Sequence, residues 1–218
     1  MPLRSLYPPL RTIAGLALLC LSNAAFAQAI GQFSSGDLGG WGEKSFAGNT
    51  QYEIVDTEQG KALQARARSS ASGMFKKIRI DLTRTPWLHW SWRVDETFRG
   101  NDERSKAGDD YPARIYVVVD GGMFFWRTRA VNYVWSSNQP VGTNWPNAFT
   151  GNAMMLAVRS ADTDTGRWVQ ERRNVREDLK RLFGKDFTHI DAVAVMTDSD
   201  NTGQTTSALY GDIYFASE

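Results

Sequence analysis

The stretch Leu88-His-Trp-Ser-Trp-Arg-Val94 alternates apolar and polar residues without a break. Leu88, Trp90, Trp92 and Val94 fall on one face, and His89, Ser91 and Arg93 on the other, the two-residue period of a half-buried strand. In a helix, residues two apart point to nearly opposite sides, so the two tryptophans would not share a face. Lys76-Lys-Ile-Arg-Ile-Asp-Leu82 repeats the pattern, with Ile78, Ile80 and Leu82 inward.

Working outward, further strands are expected at Tyr52–Val55, Ala62–Ala67, Arg114–Val119, Phe124–Thr128, Asn132–Ser136, Met154–Arg159, Ala192–Met196 and Ala208–Phe215. Clusters of Gly, Asn, Asp and Ser separate them, and Gly121-Gly122 reads as the two-residue turn of a hairpin. One segment reads as a helix, Val175–Phe183. Asn174 and Glu177 form a capping box ahead of it, Lys180 and Arg181 suit its last turn, and Gly184 ends it. Many short strands with one short helix predict an all-β antiparallel sandwich of the jelly-roll, galactose-binding-like type.

The N-terminus follows the three-part export pattern: Arg4 and Arg11, an apolar run Ile13–Leu21, then Ala25-Phe-Ala27. The run is half the length a bilayer-spanning helix requires. Residues 1–27 are therefore expected to be a cleaved signal peptide, 28–218 a single sandwich domain, and the destination periplasmic or secreted. Cleavage removes the one cysteine, Cys20, so no disulfide braces what is left. It also removes two arginines and no acid, taking the formal charge from +1 to −1. A chain so balanced has no basic field for nucleic acid, and no second run long enough for a membrane span.

No Gly-x-Ser-x-Gly elbow is present, and the two histidines, His89 and His189, read as strand residues. Two histidines without cysteines make no common structural zinc site. The charged segment Asp95–Asp110 is long for a loop and holds three acidic pairs. It reads as a solvated loop, or else as the carboxylate source of a glycoside-cleaving site. Asp198-Ser-Asp-Asn-Thr-Gly203 begins like a calcium loop but lacks the closing Glu, so an Asx-rich turn is the plainer reading.

Eight tryptophans are many for 218 residues. Trp90 and Trp92 belong to the core. Trp126, Tyr133, Trp135 and Trp145 lie among Asn, Gly and Pro, where a flat ring can cover the apolar face of a sugar. Core packing is the alternative for each. The expectation is an exposed platform of Trp135 with Tyr133 or Trp145, flanked by Asp109, Asp110, Tyr111 and Arg114.

Trp90-Ser-Trp92, Gly108-Asp-Asp-Tyr-Pro-Ala-Arg114, Tyr133-Val-Trp135, Arg173-Asn-Val175, Asp198–Gly203 and Gly211-Asp-Ile-Tyr-Phe215 occur in this order. With them the chain resembles a bacterial exported family known as domain of unknown function 3047, from about Phe33 to Phe215. That family name implies placement and no activity. More loosely, Phe33-Ser-Ser-Gly-Asp-Leu-Gly-Gly-Trp41 and Asp212 on the last strand resemble galactose-binding-like jelly rolls and carbohydrate-binding modules. That resemblance implies a structural calcium held by Asp212 and the early loop, Asp37 included.

The functional expectation is an exported, non-catalytic binding domain for glycan or cell-envelope polysaccharide. The alternatives are a polysaccharide hydrolase or lyase using the 108–114 carboxylates, and a structural envelope protein that binds a protein partner. Mass spectrometry of protein purified from the cell envelope should find a chain beginning at Gln28; a retained Met1 or a lipidated Cys20 would refute export by this route.

Overall fold

The computed structural model describes residues 27–218; the signal-peptide reading thus lies, but for Ala27, outside the described residues. The strands of the first half are β1 (Ala27–Gly31), β2 (Trp41–Ala47), β3 (Gln51–Thr57), β4 (Gly60–Arg68), β5 (Ala71–Asp81) and β6 (Trp87–Val94). There follow β7 (Ala113–Val119), β8 (Arg129–Ser136), β9 (Asn144–Asn147), β10 (Thr150–Ser160) and β11 (Val169–Asn174). Helix α1 (Val175–Phe183), β12 (His189–Asp198) and β13 (Thr205–Ala216) complete the chain.

Two sheets form a sandwich. One has six strands in the order β11-β6-β13-β4-β3, with β1 also on β13; the other has seven, β2-β5-β12-β7-β8-β10-β9. Neighbours are antiparallel, except that β10 lies parallel to β8. The chain runs out along β8, returns along the edge as β9, and inserts β10 between them.

β6 matches the alternation of its sequence, with Leu88, Trp90, Trp92 and Val94 buried. Their partners come from the facing sheet. Trp90 packs on Tyr133 with ring centres 5.4 Å apart, and Trp92 on Trp135 at 5.9 Å, while the two tryptophans meet edge-on. Large rings in tilted and T-shaped contact bind the sheets more tightly than their area alone.

The helix forms where expected. Asn174 Oδ1 accepts from the Glu177 N–H at 3.1 Å, and Gly184, left-handed at φ 68°, returns its N–H to Lys180 O. Buried Asp178 ties α1 to the sandwich, accepting from Tyr133 Oη at 3.0 Å and from the Arg173 guanidinium at 2.9 and 2.6 Å.

Three local expectations are corrected. Phe124–Thr128 is no strand; a 3₁₀ turn, Phe125–Arg127, occupies it. β7 and β8 do pair, but Val119 faces Arg129, so the connection is a long loop rather than a Gly121-Gly122 turn. The Asp95–Asp110 segment is solvated only in part: Asp95, Glu96 and Asp102 are exposed, whereas Glu103, Asp109 and Asp110 are buried acceptors for donors elsewhere in the chain.

Tyr133 and Trp135 are likewise core residues, both 0% exposed. The platform expected on their shared face is overturned: that face meets Trp90 and Trp92 across the sandwich. Replacing Trp135 by alanine should therefore lower folding stability by about 3–5 kcal/mol in denaturant titration, the range for a large ring removed from a packed core.

Candidate functional site

The outer face of the seven-stranded sheet carries what the inner face cannot. On β7, Ile115 and Val117 enter the core, so Arg114 and Tyr116 point outward; on β8, Val131 and Tyr133 point in and Asn132 out. On β12, Val193 and Val195 point in, leaving Met196 and Asp198 outward. These outward residues form the floor of a cavity of about 480 Å³. All seven strands border it, from Phe46 on β2 to Asn147 on β9 and Thr150 at the start of β10.

The sequence segment Asp109–Arg114 and the Asp198–Gly203 turn meet at one end. Asp110 accepts the backbone N–H groups of Asn201 at 3.2 Å and Thr202 at 2.6 Å, which holds the turn in place. Asp198 accepts the Tyr111 N–H at 3.2 Å and pairs directly with the Arg114 guanidinium, both side chains being almost fully buried. The guanidinium lies over the rings of Tyr111 and Tyr116, at 5.0 and 5.4 Å. Asp109 accepts from Tyr111 Oη at 3.2 Å and Asn147 Nδ2 at 2.8 Å. Of the predicted residues, Asp109 and Arg114 line the cavity, whereas Asp110 and Tyr111 support it from below.

Trp145 is also displaced from its expected role. It is 4% exposed and packs with Tyr111, Val134, Met155 and Ala157 in a second apolar cluster. Of the four rings, Trp126 is at the surface, 53% exposed, but the exposed rings that line the cavity are others. Phe46 and Phe149, each 57% exposed, stand at opposite rims of the cavity. Phe46 is the extra residue of a bulge, since Ser45 pairs with Ser72 and Ala47 with Ala71; bulges re-aim side chains in this way. Phe149 sits in the β9–β10 turn, its N–H held by Asn147 Oδ1 at 3.0 Å. An aromatic ring within a polar run, Gly42–Ser45 or Asn147–Gly151, was the available signal for both.

Two floor residues have unused hydrogen-bonding capacity. Asn132 is 1% exposed, yet neither its amide oxygen nor its amide nitrogen has a partner, and Arg114 Nε has none either. Such groups are rare in folded proteins and cost about 1–3 kcal/mol each when left unmet. Asn132 was invisible in the sequence, as one polar residue in an apolar strand.

Asp37 and Asp212, the residues expected to hold a calcium, both make hydrogen bonds to the early loop. Asp212 accepts the N–H and Oγ–H of Ser34 at 2.8 and 2.5 Å, and Asp37 accepts the Gly39 N–H at 2.7 Å. The early loop is thus joined to the last strand by hydrogen bonds. Among the described residues, the carboxylates that do converge are Asp110, Asp198 and Asp200, whose oxygens lie within 4.8 Å of one another. These are the groups with the geometry to hold a hard cation.

Burial raises the carboxyls of Asp109, Asp198 and Asp200 above their ordinary values, in Asp198 against the pull of Arg114. Glu103 anchors the loop beneath, accepting from Ser136 Oγ and the Ser137 N–H, both at 2.5 Å. Burial pushes it up to about 7 despite those bonds. A carboxyl that holds its proton more tightly when folded stabilises the fold fully below its unfolded value near 4.5, and that contribution is lost as pH rises through 7. The unfolding free energy should therefore fall by about 3 kcal/mol between pH 4.5 and 7.5 on account of Glu103. Denaturant titrations across that range check this, and Glu103→Gln should flatten the decline.

Comparison with known proteins follows the fold. The glycoside hydrolase domain Endo-D of Streptococcus pneumoniae R6 aligns at 10% identity and TM-score 0.43, over 82% of this chain, which spans only 22% of that one. The family 30 carbohydrate-binding module of cellulosomal cellulase Cel9D-Cel44B of Clostridium thermocellum aligns at 10% identity and TM-score 0.50, over 88% of this chain and 98% of the module. Cellulose induced protein Cip1 aligns at 8% identity and TM-score 0.51, over 88% and 97%. At such identity the last two show a shared β-sandwich and nothing finer. No curated protein matches the sequence. The family described as "Protein of unknown function (DUF3047)" matches residues 39–214, the two sheets and the groove included, and the chain belongs to that family.

Proposed function

We propose that the protein is an exported, non-catalytic glycan-binding domain whose ligand lies in the groove across the seven-stranded sheet. The observation that carries this reading is the pairing of exposed rings at the rims, Phe46 and Phe149, with unpartnered polar atoms on the floor, Asn132 and Arg114 Nε. Sugar recognition needs both: apolar surface for the ring faces and fixed donors and acceptors for the hydroxyls. The sandwich shared with a carbohydrate-binding module supports the reading at the level of fold.

The same geometry argues against catalysis by the 108–114 carboxylates. Asp110 is occupied by two backbone N–H groups, and Asp109 by Tyr111 Oη and Asn147 Nδ2. Both carboxyls serve as acceptors inside the protein, which favours a positioning role over that of a glycosidase pair facing a scissile bond. Asp110 fixes the turn, and Asp198 the guanidinium, at the end of the groove.

Phe46→Ala and Phe149→Ala should each weaken binding to a polysaccharide retained by the wild type by about 1–3 kcal/mol, measured by affinity electrophoresis, with little change in stability. A glycan array that retains no sugar, or binding that survives both substitutions, would refute this assignment of the groove.

A further inference from the structure

Given the reading of the groove as a glycan site, its charge bears on which glycans enter. The charged side chains lining the cavity are Asp109, Asp198, Asp200 and Arg114, and Asp110 lies directly behind. Arg114 is the single cation among them, and it is already paired with Asp198. Asp200, half-buried beside Asp110, has one weak side-chain donor, Asn201 Nδ2 at 3.4 Å. The nearest rim cations, Lys44 and Lys106, lie over Phe46 and Phe149, at 5.2 and 5.4 Å from the ring centres. Four carboxyls thus line or back the floor against one guanidinium, which Asp198 already engages.

Asn132, both of whose amide atoms are unmet, lies at the other end of that floor. Asn132 neighbours Tyr116, which neighbours Ala194, whereas Asp198 is four residues further along β12 and two strands away. At about 3.3 Å per residue and about 4.8 Å between strands, their backbones are roughly 16 Å apart. A single sugar does not span that distance, but a short chain does. Its hydroxyls at one end meet an amide that both donates and accepts, and Arg114 Nε–H in between; its other end meets carboxylates.

We infer that the groove takes oligosaccharides of amino sugars, with a protonated amino group facing Asp200 and Asp109 and ring hydroxyls paired by Asn132 and Arg114 Nε. A ligand ammonium supplies the missing positive charge through charge-assisted hydrogen bonds. Uronate and sulfated chains are rejected, because their charges would face carboxylates in a partly desolvated site.

Isothermal titration of the mature protein tests this with four hexasaccharides of one length: glucosamine, N-acetylglucosamine, glucose (as cellohexaose) and galacturonate. The measurement is made at about pH 6, where an amine of ordinary basicity is protonated. The glucosamine chain should bind at least about tenfold tighter than cellohexaose or the acetylated chain, with galacturonate not binding, the difference a charge-assisted hydrogen bond supports. Asp200→Asn should remove most of that preference, weakening the glucosamine chain far more than cellohexaose. The result that overturns the inference alone is equal or tighter binding of cellohexaose, the acetylated chain or galacturonate, still weakened by Phe149→Ala; glycan binding in the groove would then stand. A glucosamine preference indifferent to Asp200→Asn also overturns it, since that is general attraction of a polycation. Failure of all four chains to bind, or binding unaffected by Phe46→Ala and Phe149→Ala, overturns this inference together with the assignment of the groove.

Discussion

The interlock of Trp90 and Trp92 with Tyr133 and Trp135 is the contact on which the rest of the sandwich depends. Residues 27–218 contain no cysteine, so no disulfide joins the sheets. What holds them is the removal of large apolar rings from water and their mutual packing. The helix joins the same contact from outside, because Asp178 of α1 takes the Tyr133 hydroxyl that would otherwise be buried without a partner. Arg173 then neutralises Asp178 from β11. The one polar atom that this aromatic cluster carries into the helix interface is thereby satisfied, and the edge of the six-stranded sheet is fixed with it.

With the inner faces occupied, the period of two forces every other residue outward, and on the seven-stranded sheet those residues are unusually polar and acidic. Taking Arg114 and Asp198 out of water costs more than their attraction alone returns unless further hydrogen bonds meet them. Asp198 receives one such bond from the Tyr111 N–H ahead of β7, and the rings of Tyr111 and Tyr116 lie against the guanidinium. Asp110 binds the turn from the opposite side. Two segments far apart in sequence are thus welded at one end of the groove. The arrangement explains why Asp109 and Asp110, at the end of so charged a segment, are buried.

The fold was largely legible from the chain. Alternation at Leu88–Val94 and Lys76–Leu82 identified strands because burial on one face leaves a local, periodic trace. The capping residues around α1 were as plain, because a helix end is satisfied by its immediate neighbours. Phe124–Thr128 was misread since a short apolar run has no period that separates a strand from a turn. The order of strands, and the parallel pairing of β8 with β10, left no local trace at all.

The site was legible only in part. Asp109 and Arg114 stood out as charges beside a strand, and they do line the groove. Trp135 and Tyr133 were read as surface rings from the polarity of their neighbours, yet which face of a strand is buried depends on the sheet opposite. Phe46 and Phe149 took the exposed positions through a bulge and a turn, whose aim is set by pairing with β5 and by the Asn147 side chain. By itself the sequence determined the strands, the helix and its caps, and the charged segment that matters, because those depend on neighbours along the chain. The tertiary structure alone decided which rings face solvent, which acids converge and which amide is left unpaired, because each of these depends on residues brought together from distant strands.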